Sequence, residues 1–143
     1  IQVAKFPEWE TEIRAYYDNW TTMLRADIPE NVEVLRKLRH SDYELFGLTN
    51  WSAETFPYAL ENYDFFDIFE GKIVVSGTEK LIKPDPKIWH VLLERYNLKA
   101  EESVFIDDNP KNIEVAKSLG FATVHIIEEI SLETELKSLG LIF

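Results

Sequence analysis

The 143-residue sequence contains no cysteine, five glycines and one methionine. The lack of cysteine excludes disulfides, thiolate metal sites and a cysteine nucleophile. No apolar run approaches the roughly 20 residues that a membrane-spanning helix needs. Positive charge is also scarce: the chain has 15 Lys and Arg against 26 Asp and Glu, which gives a formal net charge of −11 at pH 7. Such a chain repels phosphate backbones and anionic lipid surfaces at long range, so we predict neither nucleic acid nor membrane as a partner.

The rest of the composition is typical of one soluble globular domain, with 45% hydrophobic and 29% charged residues. A chain of this length can bury a sizeable core. The first ten residues, IQVAKFPEWE, have neither the basic start nor the apolar centre of a signal peptide, and we expect a cytoplasmic location. The first residue is Ile rather than Met, which favours further residues upstream. Nothing in the sequence indicates an oligomeric state.

Apolar periodicity predicts strands that alternate with helices, and this alternation favours an α/β fold. The expected architecture is a Rossmann-like, doubly wound parallel sheet covered by helices on both faces. Predicted helices cover residues 7–24, 53–62 and 132–140, and others begin near Pro29, Pro86 and Pro110; predicted strands cover residues 45–48, 72–77, 103–106 and 122–127.

Polar residues follow two of these strands. Thr49 and Asn50 come directly after LFGL, and Asp107 and Asp108 come directly after SVFI. Parallel α/β sheets bind ligands at the carboxyl ends of their strands, so we expect the four residues to share one site. Two ionised carboxylates side by side repel each other, and a hard divalent cation such as Mg²⁺ removes that penalty. The simpler alternative, favoured by the dipeptide alone, is that Asp107 caps a helix while Asp108 faces water.

Three side chains, those of Thr49, Asn50 and Lys83, can donate hydrogen bonds to a phosphate. The Thr49 hydroxyl and the Asn50 carboxamide are donors, although a plain helix cap is the more common role for such a pair. Lys83, in LIKPDP, can act as a point charge on phosphate, although an isolated lysine is usually a surface residue. Pro84 restricts Lys83 to an extended backbone and so fixes where its side chain leaves the chain.

Taken in order, these three motifs resemble the haloacid dehalogenase-like (HAD) hydrolase superfamily. The order is strand-Thr-Asn, then Lys-Pro-Asp-Pro opening a helix, then strand-Asp-Asp-Asn before a helix that ends Leu-Gly. The resemblance runs from about residue 28 to residue 127. In particular it looks like the branch of small phosphatases that includes YihX-type sugar-phosphate phosphatases and the N-terminal domain of mammalian soluble epoxide hydrolase. It implies a HAD core over residues 27–143 and the remnant of a small helical cap over residues 1–26.

The resemblance also implies a role for each motif residue. Thr49 would bind the transferring phosphoryl group, with Asn50 beside it. Lys83 would neutralise charge between phosphate and nucleophile. Asp107 and Asp108 would hold Mg²⁺, directly or through water. The implied activity is Mg²⁺-dependent hydrolysis of a small phosphorylated metabolite, of the sugar-phosphate class, through an aspartyl-phosphate intermediate.

Two features depart from the family pattern. Lys80 stands where the family often has glycine, three residues before the lysine, so the local turn is expected to differ. The second departure is larger, because no strand here ends in the Asp-x-Asp that supplies the family's nucleophile. We therefore expect the nucleophile upstream, in a segment of roughly 50–90 residues whose strand lies between the one ending at Thr49 and the one ending at Asp107. Without that strand, residues 1–143 are not expected to fold stably.

Two other functions stay open. A carbon–halogen hydrolase of the same fold needs no metal, so the Asp107–Asp108 pair counts against it. A non-catalytic binding or regulatory domain could keep the fold without the nucleophile. Trp51 follows Asn50 and could line a substrate pocket, whereas the other tryptophans fit packing roles. The three histidines, His40, His90 and His125, have no metal-ligand spacing and fit structural or surface roles.

Overall fold

The computed structural model describes residues 2–24 and 27–143. The first part is helical: α1 (Gln2–Lys5), a 3₁₀ turn (Pro7–Trp9), α2 (Glu10–Asn19) and a second 3₁₀ turn (Trp20–Met23). The single helix predicted over residues 7–24 is thus divided into three pieces. The predicted boundary between residues 26 and 27 adjoins residues 25 and 26, which lie outside the described residues, and the division into cap and core stays a prediction.

Strands and helices alternate through the remainder of the chain, as the sequence predicts for an α/β fold. The strands are β1 (Gly47–Thr49), β2 (Ile73–Val75), β3 (Val104–Asp107) and β4 (Ala122–His125). The helices are α3 (Pro29–Arg39), α4 (Phe56–Asn62), α5 (Ser76–Glu79), α6 (Lys87–Tyr96), α7 (Pro110–Ser118) and α8 (Leu132–Ser138). Two further 3₁₀ turns cover Asp64–Phe69 and Ala100–Glu102.

The four strands form two parallel pairs. β1 pairs with β2, with Thr49 opposite Val75, and β3 pairs with β4, with Asp107 opposite His125. Within the described residues, β1 and β3 belong to different pairs and are not hydrogen-bonded to each other. The predicted α/β class with parallel strands is therefore confirmed, and the described strands form two separate pairs.

Helix starts follow the capping chemistry in the sequence. The Asn109 side chain accepts a hydrogen bond from the Lys111 N–H at 2.9 Å, with Pro110 in the first turn, as predicted. The Asp85 carboxylate likewise accepts from the Lys87 N–H at 3.0 Å at the start of α6. α7 ends before Gly120, whose φ of 97° is the left-handed conformation that glycine adopts at little cost.

Both faces of the strands are covered, which gives the doubly wound arrangement its core. On one face α6 and α7 pack against β2 and β3, with Trp89 and Ile88 fully buried beside Phe105. On the other face α3 and α8 pack against β4 through Val34, Leu38, Val124, Leu132 and Leu136. β3 shows the two-residue alternation of a strand buried on both sides, since Phe105 faces the first cluster while Val104 and Ile106 face the second.

The helical segment 2–24 is packed differently. None of its described residues is buried, although an apolar face was predicted for it. Tyr16, Tyr17 and Met23 each expose half or more of their surface. Trp20 is half-buried and meets Trp51 and Tyr58 edge-on, at 6.5 and 5.2 Å between ring centroids. Trp20 therefore packs the segment against aromatic residues that follow β1.

No helix in the described parts of the chain has both the length and the apolar character needed to cross a bilayer.

Candidate active site

The carboxyl ends of the strands carry the residues that the sequence singles out. Thr49 is the last residue of β1 and Asp107 is the last residue of β3. Lys83 lies between α5 and α6, and its peptide bond to Pro84 is cis. The fold brings Lys83 and Asp107 into direct contact, and Lys83 also reaches the backbone of β1 beside Thr49. Lys83 thus lies against residues of the two strands that end at Thr49 and Asp107.

The centre of this edge is a shielded ion pair. Lys83 Nζ lies 2.7 Å from Asp107 Oδ2, and the two side chains are only 9% and 7% exposed. The same ammonium donates to the Leu48 carbonyl oxygen at 2.8 Å and lies 5.6 Å from the centre of the Phe105 ring. Lys83 therefore links β1 to β3, the two strands that belong to different pairs.

Asp107 is held as a carboxylate. Burial by itself would raise the pKa of the Asp107 carboxyl. Hydrogen bonds from Lys83, from the Asn109 N–H and from the Asn112 carboxamide outweigh that effect and hold its pKa below the ordinary value. The group is anionic across the physiological range, which suits both an ion pair and a metal ligand.

Asn112 is a site residue that the sequence reasoning missed. It lies in the first turns of α7 and is 4% exposed. Its Nδ2 donates to Asp107 Oδ1 at 2.9 Å, while the Asn109 N–H donates to the same oxygen at 2.8 Å. The Asn112 Oδ1 is buried and has no hydrogen-bond partner among the described residues. The available signal was an amide among the apolar positions of a helix, five residues after Asp107.

Asp108 and His125 meet through the backbone. The Asp108 side chain is exposed, and its carbonyl oxygen accepts a hydrogen bond from His125 Nε2 at 3.0 Å, which requires the tautomer with the proton on that nitrogen. His125, at the end of β4, therefore braces the turn that carries both carboxylates. The sequence predicts a structural or surface role for His125, and this hydrogen bond to the Asp108 backbone is a structural one.

Asn50 is engaged with Lys83. Its Oδ1 accepts a hydrogen bond from the Lys83 N–H at 2.8 Å, and its Nδ2 donates to the Lys83 carbonyl oxygen at 3.0 Å. Both ends of the carboxamide are thus used on one backbone unit. Thr49, one residue earlier, is half-buried at the end of β1.

Trp51 lies beside a cavity of about 350 Å³ at the carboxyl ends of β1 and β2. Its carbonyl oxygen accepts from Ser76 Oγ at 3.1 Å and from the Gly77 N–H at 2.9 Å. A Cβ on Gly77 would come within 2.2 Å of the Ala53 nitrogen, so glycine is required for this close approach. The loops after β1 and β2 are therefore packed directly on each other.

The sequence profile of the haloacid dehalogenase-like hydrolases matches residues 2–126. The chain belongs to this family. It is similar to the sesquiterpene phosphatase astK of Aspergillus oryzae, with 29% identity over 129 residues, which cover 90% of this chain and 65% of the phosphatase. It is also similar to the (S)-2-haloacid dehalogenase 4A of Burkholderia cepacia, with 28% identity over 98 residues, which cover 68% of this chain and 42% of the dehalogenase. The chain thus spans less than two thirds of the length of these curated relatives.

A solved HAD structure shares the fold. The HAD-family enzyme BT-2542 of Bacteroides thetaiotaomicron, in complex with magnesium and inorganic phosphate, superimposes with a TM-score of 0.71 at 25% identity. The match covers 81% of this chain and 61% of that enzyme. The α/β fold and the HAD family predicted from the sequence are confirmed. One of these relatives is a phosphatase and another is a dehalogenase, so the family alone does not specify the reaction.

Lys80, where HAD proteins often have glycine, keeps a glycine-like backbone. It has φ 57° and ψ 29°, the left-handed conformation, directly after α5. A non-glycine residue in this conformation costs about 1–2 kcal/mol. Lysine at this position therefore makes the turn less stable than glycine would. The Lys80 side chain also lines the cavity beside Trp51.

The carboxylates at this edge fit Mg²⁺ by their chemistry. Asp107 and Asp108 offer hard oxygen ligands, and Mg²⁺ in proteins commonly takes one or two carboxylates together with waters and a substrate phosphate. Three hydrogen bonds occupy Asp107 and leave room for one more partner, because a carboxylate has about four acceptor positions. In the described parts of the chain, no group of three or more His, Asp or Glu gathers to form a metal site. A cation here would therefore need ligands beyond these two residues.

Proposed function

We propose that the complete protein is a Mg²⁺-dependent phosphomonoester hydrolase that acts on a small phosphorylated metabolite. The observation that carries the proposal is the shielded contact between Lys83 and Asp107 at the carboxyl edge, where Lys83 also bonds the carbonyl oxygen of Leu48, the residue before Thr49. This arrangement sets a fixed positive charge against a carboxylate, close to the strand end that carries Thr49. A phosphate dianion with a divalent cation would suit these charges, since the ammonium would balance phosphate oxygens and the carboxylates would hold the cation.

Each residue has a distinct part in the proposed reaction. The Thr49 hydroxyl donates to a phosphate oxygen, and Lys83 balances charge as the phosphoryl group transfers. Asp107 and Asp108 hold Mg²⁺. When bound, the cation supplies charge neutralisation at the phosphate. An aspartate carboxylate attacks phosphorus as the ester oxygen leaves and takes up a proton, and water then releases inorganic phosphate and restores the carboxylate.

The nucleophile belongs, in this proposal, to a strand that is not among residues 1–143. Two facts support it. The sequence contains no Asp-x-Asp, and β1 and β3 belong to two separate strand pairs that Lys83 links. A strand between them would pair with both edges and present its final residues beside Lys83. Instability of residues 1–143 in isolation remains a prediction that follows from the same reasoning.

The test is hydrolysis of p-nitrophenyl phosphate by the full-length protein with added Mg²⁺ and with EDTA. We expect turnover that requires the cation and falls at least about 100-fold in Asp108→Ala, because a metal ligand is lost. Asp42→Ala, which removes an exposed acid outside the site motifs, is the control and should keep wild-type turnover. Undiminished activity in Asp108→Ala would reject the metal role.

The alternatives have their own readouts. Release of halide from a 2-haloacid without added metal would identify a dehalogenase. A full-length protein that binds phosphate with Mg²⁺ but turns over neither ester nor haloacid would be a binding domain. A panel of sugar phosphates and other phosphate esters then decides the substrate class, for which sugar phosphates are our expectation.

A further inference from the structure

We propose that Asn50 is a positioning residue that holds Lys83 in place, rather than a ligand of the phosphoryl group. The inference rests on the proposed function, because Lys83 matters to catalysis only if phosphate binds at this edge. The observation that carries it is the pair of hydrogen bonds between the Asn50 carboxamide and the backbone of Lys83, at 2.8 and 3.0 Å.

The geometry fixes Lys83 at both ends. Asn50 anchors its backbone to the end of β1, while its ammonium is anchored 2.8 Å from the Leu48 oxygen and 2.7 Å from Asp107. Because both the backbone and the ammonium of Lys83 are held, the ammonium has little freedom to move away from the strand ends. A lysine otherwise has the most flexible of stems, with four rotatable bonds and a large loss of side-chain entropy on ordering.

Among the described residues, no backbone group hydrogen-bonds the N–H or the carbonyl oxygen of Lys83. Lys83 lies between Ile82, which is 61% exposed, and Pro84, which has no N–H to donate. The nearest regular backbone bonds join Leu81 to Ser76 and Asp85 to Ile82, so they pass over Lys83 without using its own N–H and carbonyl groups. Asn50 is thus the residue that connects this backbone unit to the strand that ends at Thr49.

A direct role for Asn50 on the phosphate makes a different prediction. If its free N–H contacts the phosphoryl group, removal of the side chain weakens binding whether or not Lys83 is present. If it acts through Lys83, removal of the side chain has an effect only while the Lys83 ammonium is there to be misplaced. A double-mutant cycle between the two residues separates these cases.

The probe is orthovanadate, which takes up the five-coordinate geometry of phosphoryl transfer, measured in the full-length protein with Mg²⁺. We expect Asn50→Ala to weaken vanadate affinity by roughly 10–100-fold, since a displacement of about 1 Å costs that much in a positioned site. In the Lys83→Ala background the same change should weaken affinity less than about threefold. Equal factors in both backgrounds, or no effect in the wild-type background, would overturn the proposal.

Steady-state kinetics give a second readout with p-nitrophenyl phosphate. Misplacement of a charge that stabilises the transition state should lower kcat by roughly 10–100-fold and leave KM within about threefold. The matched control is Asn62→Ala, which also removes a side-chain bond to a backbone oxygen, from Asn62 Nδ2 to Tyr58 at 2.8 Å, outside the site. Asn50→Ser is the second variant if the alanine protein does not fold, because serine is too short to reach both backbone groups.

Hydrogen exchange of the Lys83 amide separates this inference from the proposed function. We expect Asn50→Ala to speed its exchange at least about tenfold, because the N–H loses its acceptor, and Asn62→Ala to leave it unchanged. An unchanged rate in Asn50→Ala would overturn the proposal. A wild-type protein that neither hydrolyses esters nor binds vanadate would refute the proposed function, and the exchange rate would then still decide whether Asn50 holds Lys83.

Discussion

Two charged clusters in this molecule have similar geometry and different surroundings. Lys83 and Asp107 are 2.7 Å apart at the strand edge, where they are 9% and 7% exposed. On the surface, Glu133 lies 2.9 Å from Lys37 and 2.6 Å from Lys137, with all three side chains between 31% and 50% exposed. Distance alone does not tell the two clusters apart, whereas access to water does.

Both clusters shift the pKa of a carboxyl in the same direction. Hydrogen bonds from Lys137 and Lys37 lower the pKa of Glu133 to about 2, and the pKa of Asp107 is lowered as well. The free energies differ, because water and salt screen the surface charges while the buried pair has no solvent to replace a lost partner. A pKa shift in the same direction therefore does not imply that the two contacts contribute equally to folding.

The largest expected effect comes from removal of the buried cation alone. Lys83→Met keeps the alkyl stem against Phe105 and leaves the Asp107 carboxylate unpaired. We expect the free energy of unfolding of the full-length protein to fall by about 3–5 kcal/mol in urea denaturation. Lys83→Met/Asp107→Asn should recover most of this loss, since no buried charge is left without a partner. An equal loss in the double variant would show that the charge was not the cause.

A smaller effect is expected from one neutral donor of the same cluster. Asn112→Ala removes the hydrogen bond to Asp107 Oδ1 and should lower the free energy of unfolding by about 1.5–3 kcal/mol, the range for a hydrogen bond to a charged group. Urea denaturation measures the loss, with Asn62→Ala as the control for a lost surface amide. A loss no greater than the control's would place Asn112 with the surface contacts.

Acid should act on the surface cluster through Glu133. Its pKa is lower in the folded protein than the ordinary 4.5, so its contribution is present above pH 4.5 and is lost as the pH falls towards 2. Glu133→Gln should therefore lower Tm slightly near neutral pH, because the charged contact is lost there, and should bring the two proteins together as the pH approaches 2. Thermal unfolding from pH 7 to pH 2.5 makes the comparison. A parallel decline in both proteins would contradict it.

The smallest effect is expected from the cation opposite Glu133. Lys37→Met should give no resolvable change in unfolding at moderate salt, in contrast to Lys83→Met, because exposed ion pairs are screened. Urea denaturation at low and at high NaCl concentration tests this. A loss as large as that of Lys83→Met, or one that persists at high salt, would remove the distinction between the two clusters.

Much of the fold could be predicted from local chemistry. Asp85 and Asn109 carry helix-start signals next to prolines, and both side chains accept the expected hydrogen bonds. The run Leu45–Leu48 before Thr49 correctly indicated a strand end with polar residues beyond it. These features depend on neighbours in sequence, so a single sequence contains the information.

Contacts between distant segments could not be predicted in the same way. The spacing of a helix does not reveal that Asn112 turns towards Asp107, or that His125 reaches the Asp108 carbonyl, because both depend on how β3 and β4 align. The apolar residues of segment 2–24 showed helical periodicity, and periodicity predicts a face without saying what covers it. The left-handed backbone at Lys80 is set by the loop around it and not by the preference of lysine.

The edge-on contact between Trp20 and Trp51 provides an intrinsic spectroscopic probe of the helical segment's position. One indole belongs to the helical segment 2–24 and the other follows Asn50, and their ring centroids are 6.5 Å apart. At that separation the two transitions couple, so near-ultraviolet circular dichroism carries a signature of the pair that depends on their angle. Any movement of the helical segment over the end of β1 is therefore reported by the protein's own chromophores, without an added label.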